Sequence, residues 1–349
     1  MRHTLDCTKW WSLPPGAENT ICDVPGVQVG NADLRGPGLC SGVTAILPHG
    51  GDMFRQPVPA GLAVLNGFGK SIGLVQLAEL GEIETPILLT NTFGVGPCGT
   101  ALIRRAIAAN PDIGRSLCTV NPLALECNDG TVNDIQALAV SEDHALAALD
   151  ARGTRFAQGT VGAGSGMKTF GYAGGLGSSS RRVTLGGGAV FTLGALVLSN
   201  FGQQSALRVL GRQLPPPQDD GTENPDRGSI IIILATDAPM ESRQLTRMAR
   251  RSSAALGRLG SHIGHQSGDI ALAFSTAQVR HRDGDDVHIT QGLNERCMDA
   301  FFVATVEAVE EAVLNALWHA VPHKGYDGTT LPSFRKQATA AFGLSRDAG

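Results

Sequence analysis

Charge is scarce in this chain. Asp, Glu, Lys and Arg make up 17% of its 349 residues, against about 25% in an average soluble protein. With 28 basic against 32 acidic residues, a formal net charge of −4 and no run of Lys or Arg, it lacks the basic stripe that a phosphate backbone requires. Nucleic acid is thereby excluded as the main partner. The densest basic stretch carries Arg243, Arg247, Arg250, Arg251 and Arg258 and reads as the solvated face of a helix. Aromatic residues are also few, at 5%, so the core must be built from Ala, Val, Ile and Leu. No window approaches 18 consecutive apolar residues, and the N-terminal stretch MRHTLDCTKWWSLPPG has no apolar centre, which argues against a membrane span and against classical export. Cysteine pairs are missing too. Cys7, Cys22, Cys40, Cys98, Cys118, Cys127 and Cys297 are odd in number and form no CxxC, the pattern of reduced thiols in a cytoplasmic protein. HExxH and P-loop motifs are absent.

Glycine is abundant instead, at 45 residues, roughly twice the usual share. Eleven of the thirty residues from Gly159 to Gly188 are glycine. The stretch Gly162-Ala163-Gly164-Ser165-Gly166 is not GxGxxG and has no acidic residue at the ribose distance. It reads as close strand packing or pocket-wall backbone, and no cofactor is expected. His262 and His265 have HxxH spacing without an evident third ligand; they read as exposed turn histidines, and no metal is expected.

Length and an apolar content of 42% predict one large α/β domain or two closely packed halves. Strands are predicted over 26–30, 42–47, 85–92 and 190–199, and helices over 99–110 and 143–150. The unbroken run Ser229 to Asp237 predicts a strand buried on both faces. Asp237 is expected to cap the next helix, with Pro239 in its first turn and Met240, Leu245, Met248, Ser252, Ala255 and Leu259 on its buried side. A second central strand is predicted over 270–275. A long helix over 294–320 follows, carrying Met298, Phe302, Val306, Val309, Val313 and Leu317 at helical spacing.

The junction Gly228-Ser229 is the most unusual feature. A polar segment, GRQLPPPQDDGTENPDRG over 211–228, runs without transition into the buried strand, whose first residue bears a hydroxyl. Pattern alone leaves two readings. One is a surface loop entering a core strand. The other is self-cleavage that leaves Ser229 as a new N-terminus, whose α-amine, with a reference pKa of about 7.7–8.0, serves as base for its own hydroxyl. Glycine before the serine would let the scissile peptide adopt unusual dihedrals. By pattern, Asn200 at a strand end and Ser267-Gly268-Asp269 before a strand read as turn residues.

The order Asn200-Phe201-Gly202, proline-rich segment, Gly228-Ser229-Ile230-Ile231-Ile232 and Ala235-Thr236-Asp237-Ala238-Pro239 resembles the DmpA-type self-processing aminopeptidases of family S58, the L-aminopeptidase/D-alanine esterases and β-peptidyl aminopeptidases. Further similar stretches are Asp23-Val24-Pro25-Gly26-Val27, Thr85-Pro86 with Leu89-Thr90-Asn91-Thr92, and Glu126-Cys127-Asn128-Asp129-Gly130 with Asn133-Asp134. Gly162 to Gly166, Ser267-Gly268-Asp269 with Ala273-Phe274-Ser275-Thr276, and Ala304-Thr305-Val306-Glu307-Ala308 complete the set, so the resemblance spans roughly residues 20–335.

The resemblance implies a four-layer αββα sandwich, a single domain over 1–349, with a connectivity shared with the ornithine acetyltransferases. It implies cleavage between Gly228 and Ser229 into an α chain, 1–228, and a β chain, 229–349, which stay associated, with 211–228 a flexible linker before cleavage. It places Ser229 as nucleophile, Asn200 as a side-chain donor to the oxyanion, and Ser267 and Asp269 beside the nucleophile. Asp269 is one methylene shorter than the glutamate of some members. Glu126 is the candidate for the substrate's ammonium group. Asn128 is placed in the same substrate-binding region, where some members carry an aromatic residue. The implied activity is release of N-terminal residues from short peptides, amides or esters. The alternatives are hydrolysis of β-peptides or nylon-type oligoamides on the same machinery, acetyl transfer as in the threonine-dependent ornithine acetyltransferases, and a binding scaffold that never cleaves. A homo-oligomer, a tetramer by resemblance, is also expected.

Overall fold

A computed structural model of the protein describes residues 10–216, 228–284, 286, 287 and 289–343. In chain order the elements are β1 (Gln28–Gly36), β2 (Leu39–Leu47), β3 (Val58–Gly67), α1 (Leu74–Leu80), β4 (Glu82–Ile83), β5 (Ile87–Asn91), α2 (Val95–Ala109), β6 (Leu123–Cys127) and α3 (Glu142–Asp150). There follow β7 (Lys168–Thr169), β8 (Tyr172–Ala173), β9 (Gly175–Thr184), β10 (Val190–Asn200), β11 (Arg208–Val209) and β12 (Arg212–Gln213). The last part holds β13 (Ser229–Thr236), α4 (Ser242–Arg250), α5 (Ser252–Arg258), β14 (Gly268–Ser275), α6 (Met298–His319) and α7 (Phe334–Phe342).

Two sheets carry the architecture, a four-stranded one in the order β1-β2-β5-β6 and a six-stranded one in the order β4-β3-β14-β13-β10-β9. The side chains of β13 show how they stack. Ile230, Ile232 and Leu234 enter a core shared with Leu245 and Met248 of α4 and Phe301, Val309 and Val313 of α6. The alternate residues Ile231, Ile233 and Ala235 enter a second core with Ile46, Leu89 and Leu125 of the other sheet. Beyond that sheet, Val43, Ala45, Leu88 and Ala124 pack on Ala101 and Leu102 of α2 and Ala145 and Leu149 of α3. Three apolar interfaces separate four layers, the αββα sandwich expected. A strand with helices on one side and a sheet on the other needs apolar residues on both faces, which is why the run from Ile230 to Ala235 does not alternate.

Several expectations change in detail. Asp237 does not cap α4. Its Oδ1 accepts from Thr192 N–H at 2.7 Å, and Glu241 is the capping residue, in a box with Gln244; the helix therefore starts after Pro239. The predicted helix divides into α4 and α5 at Arg251. Its arginines are paired as well as solvated: Arg243 and Arg247 bind Glu295, and Arg258 binds the buried Glu310 at 2.9 Å. The glycine-rich middle contains the ten-residue strand β9, which its small side chains concealed. The Gly162–Gly164 turn is close packing, as expected: a Cβ on Gly164 would stand 2.4 Å from Leu176 N. Of the segment expected to be a flexible linker, 217–227 lies outside the described residues, while Leu214 is fully buried and Arg212–Gln213 pairs with Arg208–Val209.

Helix α6 is buried nearly all round, and its acidic residues are the surprise. Arg181 of β9, 1% exposed, pairs with Glu307 at 3.2 Å and Glu311 at 2.5 Å. Trp11 donates its indole N–H to Glu310 at 2.9 Å, and Ser12 donates its backbone N–H and its hydroxyl to Glu307 at 2.7 Å each. Removing one member of a buried ion cluster leaves uncompensated charge behind. Arg181→Ala is therefore expected to lower stability by about 3–5 kcal/mol, read as a shift of the urea midpoint; a loss below about 1 kcal/mol would show that the cluster contributes little.

Candidate active site

The central strands of the larger sheet bring one row of residues together. Asn200 at the end of β10 pairs with Ser229 at the start of β13, and Ser229 pairs with Gly268 at the start of β14. Ser229 is 5% exposed. Its Oγ accepts the Gly268 N–H at 3.3 Å. The same N–H reaches the Gly228 carbonyl oxygen, also at 3.3 Å. One donor thus touches both the hydroxyl and the carbonyl that it would attack. Glycine at 228 is required for a steric reason. A Cβ there would come 1.9 Å from the Asn200 carbonyl oxygen and 2.6 Å from Phe201 Cα. Close contact alone excludes a side chain at this position.

The Asn200 side chain is oriented from both ends. Its Oδ1 accepts Lys168 N–H at 2.7 Å and its Nδ2 donates to the Asn128 carbonyl at 2.9 Å. A backbone donor at one end and a carbonyl at the other fix which atom is nitrogen, and Nδ2 keeps a second hydrogen for another acceptor. Ser267 and Asp269 are buried, and Ser267 Oγ donates to Asp269 Oδ1 at 2.6 Å. The shorter aspartate therefore does reach its serine. Asn66 of β3 braces this segment, donating to the carbonyls of Gly264 and His265 at 3.1 Å each and also to that of Ser267.

Glu126, 2% exposed at the end of β6, accepts Lys70 N–H at 2.8 Å through Oε1 and the Thr92 hydroxyl through Oε2. Gly69 lies between it and the serine row: a Cβ on Gly69 would stand 3.5 Å from Glu126 Oε1 and 3.9 Å from Gly268 Cα. The carboxylate therefore faces the Ser229–Gly268 end of the sheet. Asn128 contributes differently from expectation. Its side chain is exposed and accepts Gly130 N–H at 2.9 Å, while its carbonyl does the positioning of Asn200. His262 and His265 are exposed, and no cluster of metal-ligating side chains occurs among the described residues.

Sequence reasoning passed over Asn66, Lys70, Lys168 and the carboxylate of Asp129. Only Asp129 carried a signal, as an acidic residue inside the Glu126–Gly130 stretch. The other three act through a side-chain amide or a backbone N–H on partners distant in sequence, which no local pattern reveals.

Comparison with known proteins places this geometry. The model of peptidase family S58 matches residues 19–331. The chain is 38% identical over 346 residues to the beta-peptidyl aminopeptidase BapA of Sphingosinicella microcystinivorans, covering 91% of this chain and 85% of that protein. Among solved structures, the PH0078 protein of Pyrococcus horikoshii OT3 superposes with a TM-score of 0.91 at 40% identity, covering 96% of this chain and 98% of that one. The L-aminopeptidase D-Ala-esterase/amidase of Ochrobactrum anthropi, described as a prototype of the serine aminopeptidases and a variant of the Ntn hydrolase fold, superposes with a TM-score of 0.88 at 33% identity, covering 96% and 97%. With the family matched over most of its length and the αββα layers in place, this chain belongs to peptidase family S58.

Proposed function

We propose that the chain cuts itself between Gly228 and Ser229 and then acts as an N-terminal-serine aminopeptidase on short peptides, amides or esters. The observation that carries this reading is the Gly268 N–H, shared at 3.3 Å by the Ser229 hydroxyl and the Gly228 carbonyl. In self-cleavage, Ser229 Oγ attacks the Gly228 carbonyl carbon. The C–N bond breaks, the hydroxyl proton passes to the departing nitrogen, and the resulting ester is hydrolysed by water. Ser267 and Asp269 are the nearby pair suited to relay that proton. The α and β chains remain associated through the shared cores.

Removal of Gly228 leaves the Gly268 N–H and the second Asn200 N–H to hold a substrate oxyanion. A single donor of that kind is worth ~3–4 kcal/mol of transition-state stabilisation. Ser229 Oγ attacks the substrate carbonyl, the Ser229 α-amine takes its proton and delivers it to the leaving amine, and water releases the acyl group. Glu126 holds the substrate's free ammonium. No step needs a metal or an organic cofactor. A scaffold that never cleaves no longer fits a chain belonging to a peptidase family, and serine in place of threonine argues against acetyl transfer. No helix among the described residues is long and apolar enough to cross a membrane, and the six described cysteines are free. Reduced thiols favour a cytoplasmic enzyme, and the family resemblance, with the low charge content, favours a homo-oligomer.

Intact-mass analysis of the wild type should show the 36.3 kDa chain split into pieces of about 24 and 13 kDa, while Ser229→Ala stays whole. Two whole, well-folded chains would remove Ser229 from its role. Replacing the charge that grips the ammonium, Glu126→Gln should raise KM for free-amine substrates by about tenfold or more while leaving self-cleavage intact. An unchanged KM would assign the ammonium elsewhere. On substrate class, the 38% and 37% identical beta-peptidyl aminopeptidases favour β-amino acyl groups. Rates on the p-nitroanilides of β-Ala, L-Ala and D-Ala should rank β-Ala first, and a preference for L-Ala would turn the assignment toward the L-aminopeptidase type.

A further inference from the structure

Beneath the substrate side of the site lies a carboxylate that the mechanism above does not use. Asp129 is 0% exposed, and among the described residues it pairs with no cation. Its Oδ1 accepts from Asn133 Nδ2 at 3.1 Å and its Oδ2 from Asn91 Nδ2 at 3.3 Å; the Ser41 hydroxyl lies beside the same carboxylate and lowers its pKa. Each partner is committed elsewhere. Asn133 Oδ1 accepts Cys40 N–H at 3.0 Å, Asn91 Oδ1 accepts Gly94 N–H at 2.7 Å, and Ser41 Oγ accepts from Asn91 Nδ2 at 3.1 Å. Neither amide can turn over without losing its backbone donor, so each carboxylate oxygen meets a fixed N–H group. It is built for an ionised acceptor.

Two connections run from this pocket to the site. The residue before Asp129 is Asn128, whose carbonyl orients Asn200 Nδ2. The residue after Asn91 is Thr92, whose hydroxyl binds Glu126, in a turn that Asn91 itself caps. We propose that Asp129 is a positioning residue of the active site, its carboxylate holding both the loop that aims the Asn200 amide and the strand end that aims Glu126. This rests on the reading that Asn200 and Glu126 serve the substrate.

Protonation of Asp129 would turn one acceptor into a donor facing a donor, and asparagine at this position does the same permanently. Burial pushes the carboxyl up to about 6, so the change falls within an accessible pH range. The other titratable groups facing it are the thiols of Cys40 on β2 and Cys127 on β6. Burial raises both, so they stay neutral over that range. Arg35 of β1 stands behind Cys40, donating to its Sγ at 2.7 Å.

The test is the pH profile of kcat/KM between pH 5 and 9 on enzyme whose cleavage has first been verified by intact mass. That mass decides the self-processing reading separately from the profile. For the wild type, log kcat/KM is expected to fall with a slope of about 1 as the Ser229 amine is protonated, steepening to about 2 below about pH 6. Ser41→Ala removes the hydroxyl that lowers this carboxyl's pKa and should move the second break upward. Asp129→Asn should follow a slope of about 1 throughout, with kcat/KM at pH 8 reduced about tenfold or more. A carboxylate that only holds the fold together would leave these slopes alone. A wild-type slope of 1 down to pH 5 overturns the proposal, as does wild-type kcat/KM at pH 8 in Asp129→Asn. Should that variant fail to fold, the wild-type and Ser41→Ala profiles decide the matter.

Discussion

Strand β13 is hydrogen-bonded along both edges, to β10 and β14, and buried on both faces between helices and a second sheet. A strand held in this way cannot slip: a shift of one residue would exchange its two apolar faces and break two ladders. Its first residue is therefore held in register with Asn200 and Gly268. The catalytic arrangement proposed above depends on that register more than on any single side-chain contact. It also explains how a serine at the tip of an apolar strand can be both buried and addressed by a backbone N–H.

Around this rigid strand the protein spends its few charges sparingly and inside. Arg181 with Glu307 and Glu311, and Glu310 with Trp11 and Arg258, fasten the N-terminal segment and β9 to α6. All of these contacts except Arg258–Glu310 span the Gly228–Ser229 junction in sequence, so self-cleavage would leave them tying the two chains together alongside the apolar cores. On the other side, Arg280 with Glu82 and Arg282 with Glu84 join residues from either side of the same junction. Asp129 belongs to a different kind of buried charge. It is balanced by neutral donors instead of a cation, so no neighbouring charge offsets the burial that raises its carboxyl.

Elements with a strong local pattern were legible. The unbroken run from Ile230, the long helix α6 and the strands predicted over 42–47, 85–92 and 190–199 stand close to where the sequence puts them, while the strand predicted over 26–30 starts at Gln28 and runs on to Gly36. Strand β9 was hidden because glycines and serines carry no apolar rhythm, although close packing on α6 is the reason they are small. Asp237 was misplaced because a capping aspartate and an aspartate that accepts a bond from the neighbouring strand look alike in sequence. Only the approach of Thr192 separates them. Gly228 was legible as necessary, but the reason, an Asn200 carbonyl that leaves no room for a Cβ, arises between strands.

By itself the sequence determined the layered α/β class, the family, and the identities of Ser229, Asn200, Ser267, Asp269 and Glu126 as the residues to watch. Those conclusions rest on chain-local order, which periodicity and motif preserve. Tertiary structure alone decided what surrounds them: Gly268 N–H between a hydroxyl and a carbonyl, Lys168 and Asn128 at the two ends of the Asn200 amide, Lys70 and Thr92 on Glu126, and the fixed amide N–H groups on Asp129. Each of these is a hydrogen bond of defined direction between residues far apart in the chain. Direction and distance exist only once the strands that carry the partners have been set in register.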